Sequence, residues 1–301
     1  MTAQNNRTLK LTPEDKDKYL VIKDYAHDES HMYLNDFFVF NDQMPSSSVD
    51  LIIIDPPYNL TKSYSSSIFY KMKDDEYCGY MNNIIEKCLR VLKPNGTMYI
   101  CGDWETSFLQ LKCIREFEEN RQCMCINRIT WARDKGRAKA GNWKNNIEDI
   151  LMVVKSNDYT FNSDAVMVRK KVLAPYRDED GNSKDWVESE DGRYRMTWPS
   201  NIWNDITVPF WSMPENTDHP TQKPEKLYAK LILASSNPDD VVYEPFAGVG
   251  TACVTAKKLG RRYIGVEKEE EYYLLACKRL ELADTDKSIQ GYEKNVFTEK
   301  K

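Results

Sequence analysis

Residues 49–60 read VDLIIIDPPYNL. The aliphatic run predicts a strand buried on both faces, as inner strands of a parallel α/β sheet are. The two prolines after it fix the backbone, remove two N–H donors and stop the strand. Asp55 and outward carbonyls are left at the strand's C-terminal end, the edge at which open α/β sheets bind ligands. A carboxylate beside a proline carbonyl makes a rigid pair of acceptors. An exocyclic amine, as on adenine N6 or cytosine N4, uses both. Those bonds strengthen as positive charge develops on the nitrogen, so they favour attack more than ground-state binding. Tyr58 adds a flat face for stacking a base. A plain strand-ending turn is the competing account of the same residues.

Outward from this stretch, short apolar runs alternate with amphipathic ones, the pattern of a sheet with helical crossovers. Strands are predicted at 31–38 (ending near Asp36), 49–54, 97–102, 124–132, 150–155, 241–244 and 262–267. Helices are predicted at 77–92, where Met81, Ile84, Ile85, Cys88, Leu89 and Leu92 keep helical spacing, and at 224–234, 251–259 and 270–282. Lys93 to Gly96 is expected to turn the chain. The rhythm breaks over 156–217. The expected organisation is therefore a polar extension (1–29), a catalytic half (30–155), an inserted region (156–217), a second half of the same catalytic domain (218–283) and a polar tail (284–301), both ends frayed.

A second motif, EPFAGVGT at 244–251, lies between the strand VVYE and a helix. Gly248 and Gly250 permit a tight turn and close approach of a ligand to the backbone. Glu267 ends the next strand, about 20 positions on, where nucleotide-binding βαβ units bind ribose hydroxyls. The third glycine of the dinucleotide fingerprint is missing, and no P-loop sequence is present. An adenosine-containing cofactor and an amine acceptor at one sheet edge together fit methyl transfer from S-adenosylmethionine.

These two stretches, with HPTQKPEKL from His219 to Leu227, resemble the DNA amino-methyltransferases over roughly residues 30–155 and 200–282. The order, with DPPY before the variable stretch and the cofactor motif last, is similar to the beta class. The resemblance implies a Rossmann-like class I methyltransferase sheet, circularly permuted, with an inserted target-recognition region. It implies S-adenosylmethionine as cofactor and no metal. Asp55, Pro56, Pro57 and Tyr58 would be catalytic. Cofactor contacts would come from Asp36, Asp55, His219, Lys223, Glu244, Phe246, Gly248, Gly250, Thr251 and Glu267. Lys223 would face the cofactor carboxylate, and Asp36 would match the family's short GD motif, with Asn35 in place of the glycine. Glu244 stands where the family usually has Asp, and Val249 where it has Ser.

The Asp heading DPPY implies adenine N6 in DNA as the acceptor. Cytosine N4, an RNA acceptor and a non-catalytic DNA-binding subunit remain alternatives. The base must be flipped from the duplex to reach such a pocket. A restriction-modification setting and a homodimer are family expectations.

The net charge of −5 and pI near 5.5 argue against a nucleic-acid partner. The distribution of charge along the chain points the other way. Arg128 to Lys144 carries six Lys/Arg against one Asp, among small residues that suit a loop following a phosphate backbone. Arg133, Lys135, Arg137, Lys139 and Lys144 are the candidate DNA contacts. Asp178 to Asp191 holds seven acids against Lys184 and should face away from DNA. Six of the seven tryptophans fall between Trp131 and Trp211. Most are expected to pack a small core, and some to stack on bases. Eight cysteines without CxxC spacing and three histidines favour reduced thiols over a disulfide framework or zinc site. Without a membrane span or a signal-like N-terminus, a cytoplasmic protein, at the nucleoid through its DNA, is expected.

Overall fold

The computed structural model describes residues 6–21, 30–133, 136, 140–172, 177–182, 186–189 and 192–297. In chain order the elements are α1 (Pro13–Tyr19), β1 (His31–Leu34), α2 (Phe37–Gln43), β2 (Val49–Ile54), β3 (Lys62–Ser63), β4 (Ile68–Phe69), α3 (Asp74–Val91), β5 (Leu92–Gly102), α4 (Trp104–Glu119), β6 (Met124–Ala132) and β7 (Ile147–Val154). They continue with β8 (Val168–Lys171), β9 (Val187–Ser189), β10 (Gly192–Thr197), β11 (Ile202–Trp203), α5 (Glu225–Ser235), β12 (Val241–Glu244), α6 (Thr251–Lys258), β13 (Arg262–Glu267), α7 (Glu270–Thr285), β14 (Tyr292–Glu293) and β15 (Val296–Phe297).

The main sheet runs β1-β13-β12-β2-β5-β7-β6-β11. Every neighbouring pair is parallel except the two that β7 makes, so one strand is reversed. β2 sits in the middle because both its faces are apolar. Leu51 and Ile53 point into one core with α5, α6 and α7. Ile52 and Ile54 point into the other with α2, α3 and α4. All four are fully buried, each worth about 1.5–3 kcal/mol. The chain leaves β2 towards β5 on one side and leaves β12 towards β13 on the other. The β12/β2 boundary is thus the point where connections diverge, which opens a crevice beyond the strand ends.

Several expectations are corrected. The first strand stops at Leu34. Asp36 then accepts the Phe38 N–H at 2.8 Å and caps α2, whose Phe37, Phe40 and Asn41 are buried. FFVF thus coils where its β-prone composition suggests extension. Lys93–Gly96 does not turn freely but bulges within β5, with register jumping between Val49 and Leu51. A Cβ on Gly96 would lie 2.7 Å from the Asp50 carbonyl, so the bulge needs glycine there. The ends are not simply frayed. α1 is tied to α7 by Lys278–Asp15 and Lys18–Glu281. The tail's β14 and β15 complete a second sheet, β14-β15-β8-β10-β9, with strands from the inserted region. Phe297 and Val168 of that sheet pack with Ala229, Leu233 and Ala234 of α5. Among the described residues no helix is long and apolar enough to cross a membrane.

Candidate active site

The parallel strands deliver their C-terminal ends to one edge. There they place Asn35 and Asp36 after β1, Asp55 after β2, Asp103 after β5, Glu244 at the end of β12 and Glu267 at the end of β13. Reversed β7 brings its beginning, Glu148, to the same edge, opposite Trp131 near the end of β6. A cavity of about 460 Å³ opens there, lined by all four DPPY residues and by the glycine turn, within the usual range of small-molecule sites.

Asp55 is the hub of the DPPY side. Its Oδ2 accepts the Lys223 ammonium at 2.6 Å and its Oδ1 the Tyr58 hydroxyl at 3.0 Å. Glu148 Oε2 lies 3.2 Å from the same hydroxyl and 3.3 Å from Lys223 Nζ. Glu148 Oε1 accepts Arg133 Nη1 at 2.8 Å. Burial alone pulls the Lys223 pKa down, but the carboxylates of Asp55 and Glu148 overcome it and hold the ammonium charged. Burial, reinforced by the same carboxylates, pushes the Tyr58 phenol well up, so it stays a donor. Lys223 therefore sits on Asp55, whereas the resemblance implies a place at the cofactor's carboxylate.

The other side is built by the glycine turn. Gly248 and Gly250 have φ of +51° and +68°, which L side chains rarely adopt. A Cβ on Gly248 would come to 3.2 Å from His219 Nε2, and one on Gly250 to 2.9 Å from the Ala276 Cβ. Glu244 spends both oxygens on the Ala252 and Cys253 N–H groups at the start of α6, each 3.1 Å away. Burial, only partly offset by those bonds, pushes its pKa up to about 7. Glu244 thus acts here as the anchor of α6. The Thr251 hydroxyl accepts from Arg279, and Phe246 packs against Phe37 with centroids 5.0 Å apart. Glu267 accepts the Gly248 N–H at 2.6 Å and lines the cavity, as does Asp36. Burial, helped by the nearby Lys62 charge, lowers the His219 pKa to about 3, so the ring is neutral. Its Nδ1 accepts the Thr221 N–H at 3.3 Å, leaving Nε2 as the protonated nitrogen, towards Gly248.

A hairpin, β3–β4, closes over this half. Tyr64 and Ile68 line the cavity. Glu269 accepts from the Ser66 N–H, Ser66 Oγ and Ser67 Oγ, each at 2.6 Å, and Ser65 Oγ donates to Glu271.

Residues 49–278, which hold both sides of this cavity, match the sequence model of a DNA methylase family, the N6/N4 methyltransferases. The chain belongs to that family. It is 37% identical over 248 residues to the "DNA adenine methyltransferase YhdJ" of Escherichia coli, covering 80% of this chain and 79% of that one. It is 34% identical over 255 residues to the "Type II methyltransferase M.HpaI" of Haemophilus parainfluenzae, covering 83% and 72%. Among solved structures, the cytosine-N4-specific PvuII DNA methyltransferase shares the fold with a TM-score of 0.64 at 16% identity, over 87% of this chain and 89% of that one. The chain is thus a DNA methyltransferase with the class I sheet in its permuted order, DPPY strand before glycine turn.

Of the residues singled out in the methylase sequence, Gly250 lies just behind the cavity wall and Lys144 is exposed well along the β6–β7 hairpin. Arg133 lines the cavity on Glu148. Lys135, Arg137 and Lys139 lie outside the described residues. Of the tryptophans from 131 to 211, Trp131, Trp186 and Trp203 are buried, while Trp143, Trp198 and Trp211 are exposed. Trp131 and Trp203 join the main core of the sheet, so the expectation that most pack a small core of their own does not hold. Glu148 is a site residue that sequence reasoning misses. Its signal is a pair of acids, Glu148 and Asp149, in the otherwise apolar run IEDILMVV.

Proposed function

We propose that this DNA methyltransferase transfers a methyl group from S-adenosylmethionine to adenine N6 of a base flipped into the DPPY pocket. The carrying observation is the shared cavity, which puts Asp55 and the Pro56 backbone opposite the glycine turn with space between. The residues fit that cofactor. The Gly248 cradle accepts close approach, Glu267 and Asp36 offer carboxylates at strand ends, Phe246 offers an aromatic face, and His219 presents a neutral N–H. When bound, the cofactor supplies an electrophilic methyl group on a sulfonium.

Asp55 accepts from the amine and favours a pyramidal nitrogen with its lone pair free. Tyr58 offers its face to the base while its hydroxyl is held by Asp55 and Glu148. As the new N–C bond forms and the S–C bond breaks, the surplus proton on nitrogen leaves to Asp55 or to water. Adenine is favoured by the Asp at the head of DPPY and by the name of the YhdJ relative. Type II relatives support a restriction-modification setting, and the 156–217 region together with the separate basic β6–β7 connection supports a nucleic-acid polymer as the substrate.

The test is methylome sequencing of a host expressing the chain, then nucleoside mass analysis of the recognised duplex methylated in vitro. N6-methyladenine that disappears with Asp55→Asn, while cofactor and DNA still bind, is the expected result. N4-methylcytosine alone overturns the adenine reading, and an active Asp55→Asn overturns the role of Asp55.

A further inference from the structure

We propose that Lys223 holds the place of the target amine at Asp55, and that Glu148 is the carboxylate that takes the lysine over when the base arrives. This rests on Asp55 being the acceptor for the exocyclic amine. Both Asp55 oxygens are already engaged, Oδ1 by Tyr58 and Oδ2 by Lys223. A base amine and an ammonium both donate N–H, so an amine aimed at Oδ2 competes with Lys223 for one acceptor.

The lysine has somewhere to go. Its Nζ is already 3.3 Å from Glu148 Oε2, and charge-assisted N–H···O bonds settle at about 2.7–2.9 Å. A movement of about half an ångström makes Glu148 its main partner. Glu148 is held by Arg133 on its other oxygen, so the receiving carboxylate is fixed while the lysine moves. Lys223 is buried with only 5% of its side chain exposed. Leaving for solvent would strip Asp55 of its ammonium and leave Arg133 alone to offset two neighbouring carboxylates, a costly state. The short slide keeps every charge paired. Before the base arrives Asp55 is neutralised by an ammonium. Afterwards it is free to accept from the amine, with the positive charge still beside it.

The test compares wild type with Glu148→Gln, Lys223→Met and the double variant. The DNA is a duplex of the recognised sequence with its normal target base, or with the analogue lacking the amino group (purine for adenine, 2-pyrimidinone for cytosine). Single-turnover methylation and duplex affinity are measured. Thermal unfolding and cofactor affinity identify variants that fail to fold. In Glu148→Gln the lysine's second partner is a neutral amide oxygen, too weak an acceptor to draw it from the Asp55 carboxylate. Methyl transfer should slow at least tenfold, and affinity for the normal base should fall towards that for the analogue, with analogue affinity unchanged. The double variant should transfer several-fold faster than Glu148→Gln, because removing the lysine helps only where Glu148 is gone. A double variant no faster than Glu148→Gln, or a Glu148→Gln indistinguishable from wild type, overturns the proposal. Either result leaves the Asp55 reading standing, which fails separately if Asp55→Asn stays active.

Discussion

Arg279, in the middle of α7, donates to Glu225 in the first turn of α5 across 3.0 Å, and both side chains are sealed from water. Its other nitrogen donates to the Val249 carbonyl at 2.8 Å and the Thr251 hydroxyl at 3.0 Å. One guanidinium therefore joins two helices to the glycine turn. Arg279→Met leaves Glu225 buried near Glu215, whose own pKa burial and Glu225 already push up to about 7. Leaving a buried charge unpaired costs about 3–5 kcal/mol, and Lys258 still pairs with Glu225 at 2.7 Å. Urea unfolding should show a loss below that range, with weaker cofactor binding. The exposed Arg115–Glu118 pair should contribute about 0–1 kcal/mol.

His219 should make the protein acid-sensitive. Its pKa is near 3 in the fold and about 6.5 in the unfolded chain. The unfolded state therefore binds the extra proton between those values, and stability falls as pH drops below 6.5. Glu244 works oppositely. With its folded pKa near 7, the native state holds the extra proton between about 4.5 and 7, and stability falls as pH rises through that window. His219→Asn should gain on wild type as pH drops from 6.5 to 4.5, by up to roughly 1.4 kcal/mol per pH unit. Chemical unfolding at several pH values checks the sign.

Trp143 is 93% exposed beside Lys144 on the β6–β7 hairpin. Trp143→Ala should leave stability within about 0.5 kcal/mol. If the ring stacks on a base, methyl transfer falls by roughly tenfold or more, since such stacking is worth about 1–3 kcal/mol. Lys144→Ala should instead flatten the salt dependence of DNA binding, by about 0.9 in log–log slope per lost phosphate contact.

The hairpin latch should govern cofactor retention. Glu269→Ala removes the acceptor of the Ser66 and Ser67 bonds, so the cofactor should dissociate about tenfold faster in stopped-flow measurements. Burial pushes the Glu269 pKa up, but the serine bonds more than offset it and leave it below its usual 4.5. The latch is therefore fully present above pH 4.5 and weakens as pH falls below it.

What the sequence made legible was contiguous. DPPY and the glycine turn each follow a buried strand directly, so chain position alone puts Asp55, Gly248 and Glu267 at one edge. Glu148 joins them only because β7 runs backwards, a fact of pairing with β5 and β6 that no local pattern carries. Lys223 stands out within HPTQKP, yet its partner lies 168 residues away, and proximity at that separation is a product of the fold. The strand expected at 31–38 overruns into Phe37 and Phe38, which the Asp36 cap and burial on one side make the first turn of helix α2. The tail's strands are two residues each, too short for periodicity, and they exist because β15 pairs with β8 and β14 with β15.

The eleven residues of α5 begin just after Lys223, at the catalytic carboxylate, and their far half is clasped by Phe297 and Val168 of the small sheet. At 1.5 Å of rise per residue the helix measures about 16 Å. On the proposed function it is a ruler between the DPPY pocket and the inserted region. Lengthening or shortening it by a turn would change where along a duplex the enzyme reads relative to where it writes, with both sites themselves untouched.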